Sequence, residues 1–324
     1  MTALKLGTRG SALALWQAER VADEIRAHSG RDCELVIITT TGDRLTEVSL
    51  STVGGKNVFV KEIEQALLAG DIDLAVHSAK DMPAELPGGL AIPAVLARAD
   101  PRDAVVLPAG AAPLPAVPTA DLRLQFGASP RVGSGSVRRV AQLRRVWPTA
   151  QFGLIRGNVG TRLRKLDAGD YDLLILAAAG LTRLGYQDRI SATVDVDTCV
   201  PAPGQGIVAI ETRSDDQETI DVLVTMTDAA AAAALTAERA VVARLGGGCQ
   251  VPIGAFAECQ GQELRLRAVV TSLDGSLVLR REATGTTADP RGLGLTVAEG
   301  LLEDGAEPLL DAARSDATTD RAMP

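Results

Sequence analysis

Leu68-Ala69-Gly70-Asp71-Ile72-Asp73-Leu74 recurs ninety-nine positions later as Asp167-Ala168-Gly169-Asp170-Tyr171-Asp172-Leu173. Each copy reads as the end of a helix stopped by glycine, a short acidic turn and the start of an apolar strand. Asn57-Val58 and Asn158-Val159 precede the two copies at nearly matching offsets. A repeated helix–turn–strand unit at this separation points to two related α/β domains. The flanking sequence agrees. Ala14, Ala18, Val21 and Ile25 share one helical face, and Leu35-Val36-Ile37-Ile38 is a strand covered on both sides. Asn57 is a candidate N-cap for a helix running through Leu67, with Leu74-Ala75-Val76-His77 as the next buried strand.

From about Asp228 the pattern changes. A helix leads to Gly246-Gly247-Gly248-Cys249, and Leu264 to Val270 alternates as a half-exposed strand. Asp274-Gly275 makes a hairpin turn, and a helix follows around Leu295 to Leu302. The expectation is a small α+β domain with an unstructured tail after Ser315. Pro108 to Pro118 reads as an exposed loop.

Composition limits the function. The 324 residues are 46% hydrophobic but only 2% aromatic, so aliphatic side chains fill the core. A formal charge of −8 argues against a nucleic-acid surface spread over the molecule. The start of the chain lacks the apolar region of a signal peptide, and no apolar run approaches the ~20 residues of a membrane span. The expectation is a cytoplasmic protein with no membrane partner. Four cysteines without a C-x-x-C pair, far from both histidines, leave no metal site.

Arginines gather where strands feed helices. Arg9 precedes Ser11 and the first helix, Arg138 and Arg139 follow Ser134-Gly135-Ser136, and Arg156 and Arg162 flank Gly157-Asn158-Val159-Gly160-Thr161. Ligands of open α/β sheets bind at these strand ends, where free N–H groups favour anions. A cation there opposes the helix dipole, so an anionic ligand gives these arginines a reason to be present. Lone surface charges would contribute only ~0–1 kcal/mol each. The loops match no G-x-x-x-x-G-K-[ST] phosphate motif, so a ligand with several carboxylates fits better than a nucleotide.

His77-Ser78-Ala79-Lys80-Asp81 is a polar run at the end of a buried strand. Asp81 is the candidate acid–base group or counter-charge, and His77 reads as a satisfied strand-end residue. Cys33, Cys199 and Cys259 read as packing residues, Cys33 and Cys199 being buried. Cys249 follows three glycines at a helix C-terminus, where the dipole disfavours a thiolate. It suits a thiol alkylated once and kept as a thioether.

These blocks resemble the porphobilinogen deaminase family, also called hydroxymethylbilane synthase. The matching stretches are Thr8 to Gln17, Gly54 to Glu62, His77 to Pro83, Gly135 to Arg139, Arg156 to Arg162, Pro203-Gly204-Gln205-Gly206 and Gly247 to Gly254, in family order. The resemblance implies two similar α/β domains, like those of periplasmic binding proteins, around a cleft, plus the small C-terminal α+β domain. Its boundaries would be 1–98 with 207–224, then 103–200, then 228–324. It implies a dipyrromethane cofactor on Cys249, on which four porphobilinogen units are deaminated and joined to give hydroxymethylbilane. Asp81 would be catalytic. Ser78, Lys80, Ser134, Ser136, Arg138, Arg139, Arg162, Arg183 and Gln205 would hold the cofactor; Arg9, Ser11, Lys56, Phe59 and Arg156 would hold substrate. A monomer is expected. Thr52 stands where some members carry lysine, Gly135 where serine is commoner, and the proline-rich loop is longer than usual. Two other readings of the residues alone are a two-lobed anion-binding or effector-sensing module, and a transferase whose Cys249 turns over.

Overall fold

The computed structural model describes residues 3–44, 60–112, 114–247 and 251–319. The chain opens with β1 (Leu4–Thr8), α1 (Ala12–Ser29), β2 (Cys33–Ile37), the single turn α2 (Thr41–Arg44), α3 (Lys61–Ala69) and β3 (Leu74–Ser78). A 3-10 turn, Ala79–Asp81, and β4 (Leu90–Val95) follow. Next come β5 (Asp103–Val106), β6 (Arg131–Gly133), α4 (Val137–Val146), β7 (Gln151–Gly153), α5 (Val159–Asp167), β8 (Leu173–Ala177), α6 (Ala178–Arg183) and β9 (Ala192–Thr193). The chain then returns through β10 (Val208–Arg213), α7 (Gln217–Val224) and α8 (Ala229–Arg244). It ends with β11 (Ile253–Gln260), β12 (Glu263–Thr271), β13 (Val278–Thr286), α9 (Pro290–Glu303) and α10 (Ala306–Thr319).

Two five-stranded sheets share one plan. Their orders are β2-β1-β3-β10-β4 and β7-β6-β8-β5-β9, so the repeated segments occupy equivalent places, each turning from a helix into the third strand. Gly70 and Gly169, at φ 76° and 85°, take the left-handed conformation that ends each helix and that a side chain would strain. The sheets are mixed rather than wholly parallel. β10 runs antiparallel to β3, and β5 antiparallel to β8. Both are strands that the chain enters after passing from one sheet to the other, so each arrives from the opposite end.

Local chemistry explains the helices that frame the cleft. Ser11 accepts the Ala14 N–H at 3.3 Å and caps α1, whose Ala18, Val21, Ala22 and Ile25 are buried. Asn158 caps α5 through the Thr161 N–H at 2.9 Å. Asn57 lies outside the described residues. The helix it was expected to cap begins at Lys61, with Val60 as its uncapped first flank. The first core joins Leu6, Val21, Ile25, Leu74, Val76 and Ile210; the second packs Val105, Val132, Leu143, Leu173 and Ile175 around the buried Trp147.

The third unit is the antiparallel meander β11-β12-β13, its apolar face covered by α8, α9 and α10. Asp289 caps α9 ahead of Pro290, so that helix starts five residues before Leu295. The tail expected to be unstructured is helical through Thr319. The Asp274-Gly275 turn sits directly on α4, where a Cβ on Gly275 would collide with the Ala141 carbonyl. Cys199 is buried, whereas Cys33 and Cys259 are only half-buried. No single described helix is long and apolar enough to cross a membrane; α7 and α8, bent by 116°, meet the length and composition test only as a pair.

Candidate active site

Two adjoining cavities open at the strand ends, sharing Leu13 and Ser78 as a common wall. The first is lined by Arg9, Ser11, Gln17, His77 and Asp81; the second by Lys80, Gly180, Arg183, Gly204 and Gly206. Adjacent side chains of the Ala79–Asp81 turn therefore line different cavities. Ser78 Oγ is held 2.9 Å from Gln17 Nε2, which ties the end of β3 to α1. His77 is buried, with Nε2 3.1 Å from Glu211 on β10.

The charges around Asp81 are unbalanced. Among the described residues, Lys80, Arg138, Arg139 and Arg162 form one electrostatic cluster with Asp81 and Asp103 as its carboxylates. Desolvation lowers the Lys80 pKa to about 8, with Arg139 and Arg138 adding to the fall and Asp81 and Asp103 opposing it. Desolvation, reinforced by Arg139, brings Arg162 down to about 10, against the pull of Asp81. Burial does the same for Arg183. Burial makes each of these cations give up its proton more easily. A ligand carrying carboxylates offsets that cost, so these residues fit a cofactor and substrate bearing acetate and propionate groups.

The arginines divide into two kinds. Arg138 and Arg139, at 4% and 6% exposure, are turned into the protein. Arg138 reaches Asp103 at 2.8 Å and the Val200 carbonyl at 2.7 Å; Arg139 reaches Asp103 at 2.9 Å and the Ile175 carbonyl at 3.2 Å. Gln205, equally buried, donates to Asp103 at 2.8 Å and to the Pro101 carbonyl at 2.6 Å. Arg162 and Arg183 are only half-buried. Arg162 donates to the Gly157 carbonyl at 2.8 Å, and Arg183 to the Gly206 carbonyl at 2.6 Å while lying 5.6 Å above the Trp16 ring.

Ser134 is buried, its Oγ accepting the Ser136 N–H at 3.3 Å at the start of α4. Arg156 is half-buried just beyond β7 and lines neither cavity. A Cβ on Gly135 would lie 2.9 Å from the Ile155 carbonyl and near the Arg162 guanidinium, so serine there would require the backbone to shift. Cys249, Lys56, Phe59 and Thr52 lie outside the described residues.

Sequence reading missed Asp103, Gln17 and Glu211. Asp103 had a signal, since it is an acid directly before the buried run Ala104-Val105-Val106. Gln17 and Glu211 carry none beyond their polarity within apolar segments.

The chain is similar to known proteins over most of its length. Residues 4–221 match the family model "Porphobilinogen deaminase, dipyromethane cofactor binding domain", and residues 232–303 match "Porphobilinogen deaminase, C-terminal domain". A porphobilinogen deaminase of Roseiflexus sp. (strain RS-1) is 47% identical over 308 residues, covering 95% of this chain and 98% of that protein. One from Acidithiobacillus ferrooxidans is 46% identical over 322 residues, covering 96% and 98%. Among solved structures, immunogenic lipoprotein A from Vibrio vulnificus aligns at TM-score 0.43 and 15% identity, over 69% of this chain and 94% of that one. A substrate-binding domain of a putative amino acid ABC transporter from Streptococcus pneumoniae aligns at 0.44 and 11%, over 69% and 91%. With two family models in chain order and relatives aligned almost end to end, the chain belongs to the porphobilinogen deaminase family.

Proposed function

We propose that Asp81 and the surrounding cations carry out the family's reaction in this chain. That reaction deaminates four porphobilinogen units and joins them head to tail, releasing hydroxymethylbilane for tetrapyrrole synthesis. The dipyrromethane cofactor supplies the pyrrole carbon on which the chain is built, and Cys249 is its attachment point. In each addition the C–N bond of an aminomethyl group breaks and a C–C bond forms. The proton from the attacked pyrrole carbon leaves with the ammonia as ammonium.

The protein's tasks are to seat carboxylates and to stabilise a transient cation. Lys80, Arg162 and Arg183, with Arg9 and Ser11 on the opposite side of Ser78, act as the seats. Arg138, Arg139, Gln205, Ser134 and Ser136 shape the cofactor side, and Arg156, Lys56 and Phe59 complete the substrate side. Asp81, exposed on the wall of its cavity, faces the pyrrole nitrogens and offsets the positive charge that develops as the amine departs. The observation that carries this reading is geometric: Asp81 shares one cavity with Arg9 and Ser11, and Lys80 and Arg183 line the cavity adjoining it. We further place the domain boundaries at 1–98 with 207–224, 103–200 and 228–324, and the enzyme in the cytoplasm as a monomer.

Intact-protein mass spectrometry before and after adding porphobilinogen tests the assignment. Wild type is expected to carry a permanent adduct and then a ladder of added pyrrole units. Asp81→Ala is expected to keep its fold and lose product formation by about a hundredfold or more, the scale for removing one aimed electrostatic group. Near-normal turnover in that variant would strip Asp81 of its role.

A further inference from the structure

Asp103, the first residue of β5, is completely buried, yet four donors converge on it. Arg138 Nη2 at 2.8 Å and Cys199 Sγ at 3.5 Å meet Oδ2; Arg139 Nε at 2.9 Å and Gln205 Nε2 at 2.8 Å meet Oδ1. Burial alone would favour its neutral form, but Arg138 and Arg139 hold the carboxyl far below its usual range, so it is an anion. The donors come from separate parts of the fold: the first turn of α4, the segment before the return crossing, and the crossing itself.

Arg138 and Arg139 stand at a helix start, where the dipole disfavours cations. Asp103 compensates both and sets the direction of each guanidinium. Through Gln205 it also grips the Pro203–Gly206 crossing. Gly204 there is packed so tightly on the catalytic turn that a Cβ would lie 2.8 Å from that of Ala79. One carboxylate thus connects two arginines of α4 with the backbone that supports Lys80 and Asp81.

We propose that Asp103 is a positioning residue of the carboxylate site, holding Arg138, Arg139 and the Gln205 crossing at the spacing that cofactor and substrate require. It touches neither ligand. The inference rests on the site reading above, and it makes a prediction opposite to that of simple charge screening. Replacing Asp103 with asparagine makes the site more positive. Were Asp103 only a counter-charge, anion binding would tighten; a positioning residue predicts that binding weakens in spite of the added positive charge.

The test uses apo-enzyme incubated with porphobilinogen and followed by intact mass, together with kcat and KM of the loaded enzyme. Asp103→Asn is expected to form the adduct about tenfold more slowly and to raise KM about tenfold, with a smaller change in kcat per loaded chain. Asparagine turns an N–H toward Arg138, which leaves a buried cation uncompensated and threatens the fold. The double variant Asp103→Asn/Arg138→Met removes that cation and is expected to load more slowly than Arg138→Met alone, since Arg139 and Gln205 then lose their positioning partner as well. Should neither fold, Gln205→Met removes one donor without stranding a charge and is expected to slow loading in the same direction. A folded variant that loads at the wild-type rate, or whose KM is unchanged or lower, overturns the proposal. If wild type itself gains no adduct, it is the reading of the site that fails.

Discussion

At the scale of single residues, charge was legible in the sequence but its partners were not. Arg138 and Arg139 were identifiable as cations at a helix start, and the sequence asked for an anionic ligand to explain them. The anion they meet in the structure is Asp103, thirty-five residues upstream of Arg138, and no local pattern connects the two. Lys80 and Asp81 were legible because a polar run at a buried strand's end is itself unusual. A second buried group has a measurable consequence. Glu64 on α3 is buried with Oε1 lacking a hydrogen-bond partner, among Glu211 and His77, while Arg239 of α8 also acts on Glu211. Desolvation first, then Glu211, raises the Glu64 pKa above the ordinary glutamate value. The folded state therefore binds more protons than the unfolded state just above that value, and stability falls as pH rises through the window. Each unit of the shift is worth about 1.4 kcal/mol. Glu64→Gln is expected to flatten this fall and to be the more stable form at pH 7, as checked by urea unfolding between pH 5 and 8.

At the scale of elements, the glycine helix stops were the most readable features. Gly70 and Gly169 act through their own backbone freedom, so their effect does not depend on the rest of the fold, whereas the caps Ser11 and Asn158 emerged only with the structure. Strand direction was not readable. Nothing within Val208-Ala209-Ile210-Glu211 tells that β10 inserts antiparallel between β3 and β4, because that depends on where the preceding crossing delivers it. The crossing places a sharp demand on Gly204, at φ 73°. An added Cβ would strain the backbone and press on Ala79 and Leu235 together. Gly204→Ala is expected to cost about 1–3 kcal/mol in stability. By displacing the 79–81 turn it should also lower kcat more than it raises KM, as steady-state kinetics on the loaded enzyme would reveal.

At the scale of the molecule, the first unit, the return crossing and the third unit meet at one buried acid. Glu238 of α8 accepts from Arg98 at 2.8 Å, from the Gly204 N–H at 2.6 Å and from the Ala257 N–H at 2.7 Å. It therefore joins the exit from β4, the return crossing and β11. Removing it leaves the half-buried Arg98 without its carboxylate and the Gly204 and Ala257 N–H groups without their acceptor, a loss of about 3–5 kcal/mol. Glu238→Ala is expected to lower the denaturant midpoint accordingly and to separate the unfolding of β11–β13 from that of the other sheets, seen as two transitions where wild type shows one. The internal echo announced two similar units, but it carried no sign of this joint, whose members are drawn from residues 98, 204, 238 and 257. The return of β10 to the first sheet also dictates an order of assembly. During synthesis β4 has no neighbour to pair with until residues 208–213 emerge, whereas every strand of the second sheet has been made by Thr193. At about 5–20 residues per second, the first sheet waits on the order of ten seconds with a strand unpaired. The half of the protein that bears Asp81 is made first and completed second, so the nascent chain must keep its β3 and β4 edges from foreign partners until its own last strand arrives.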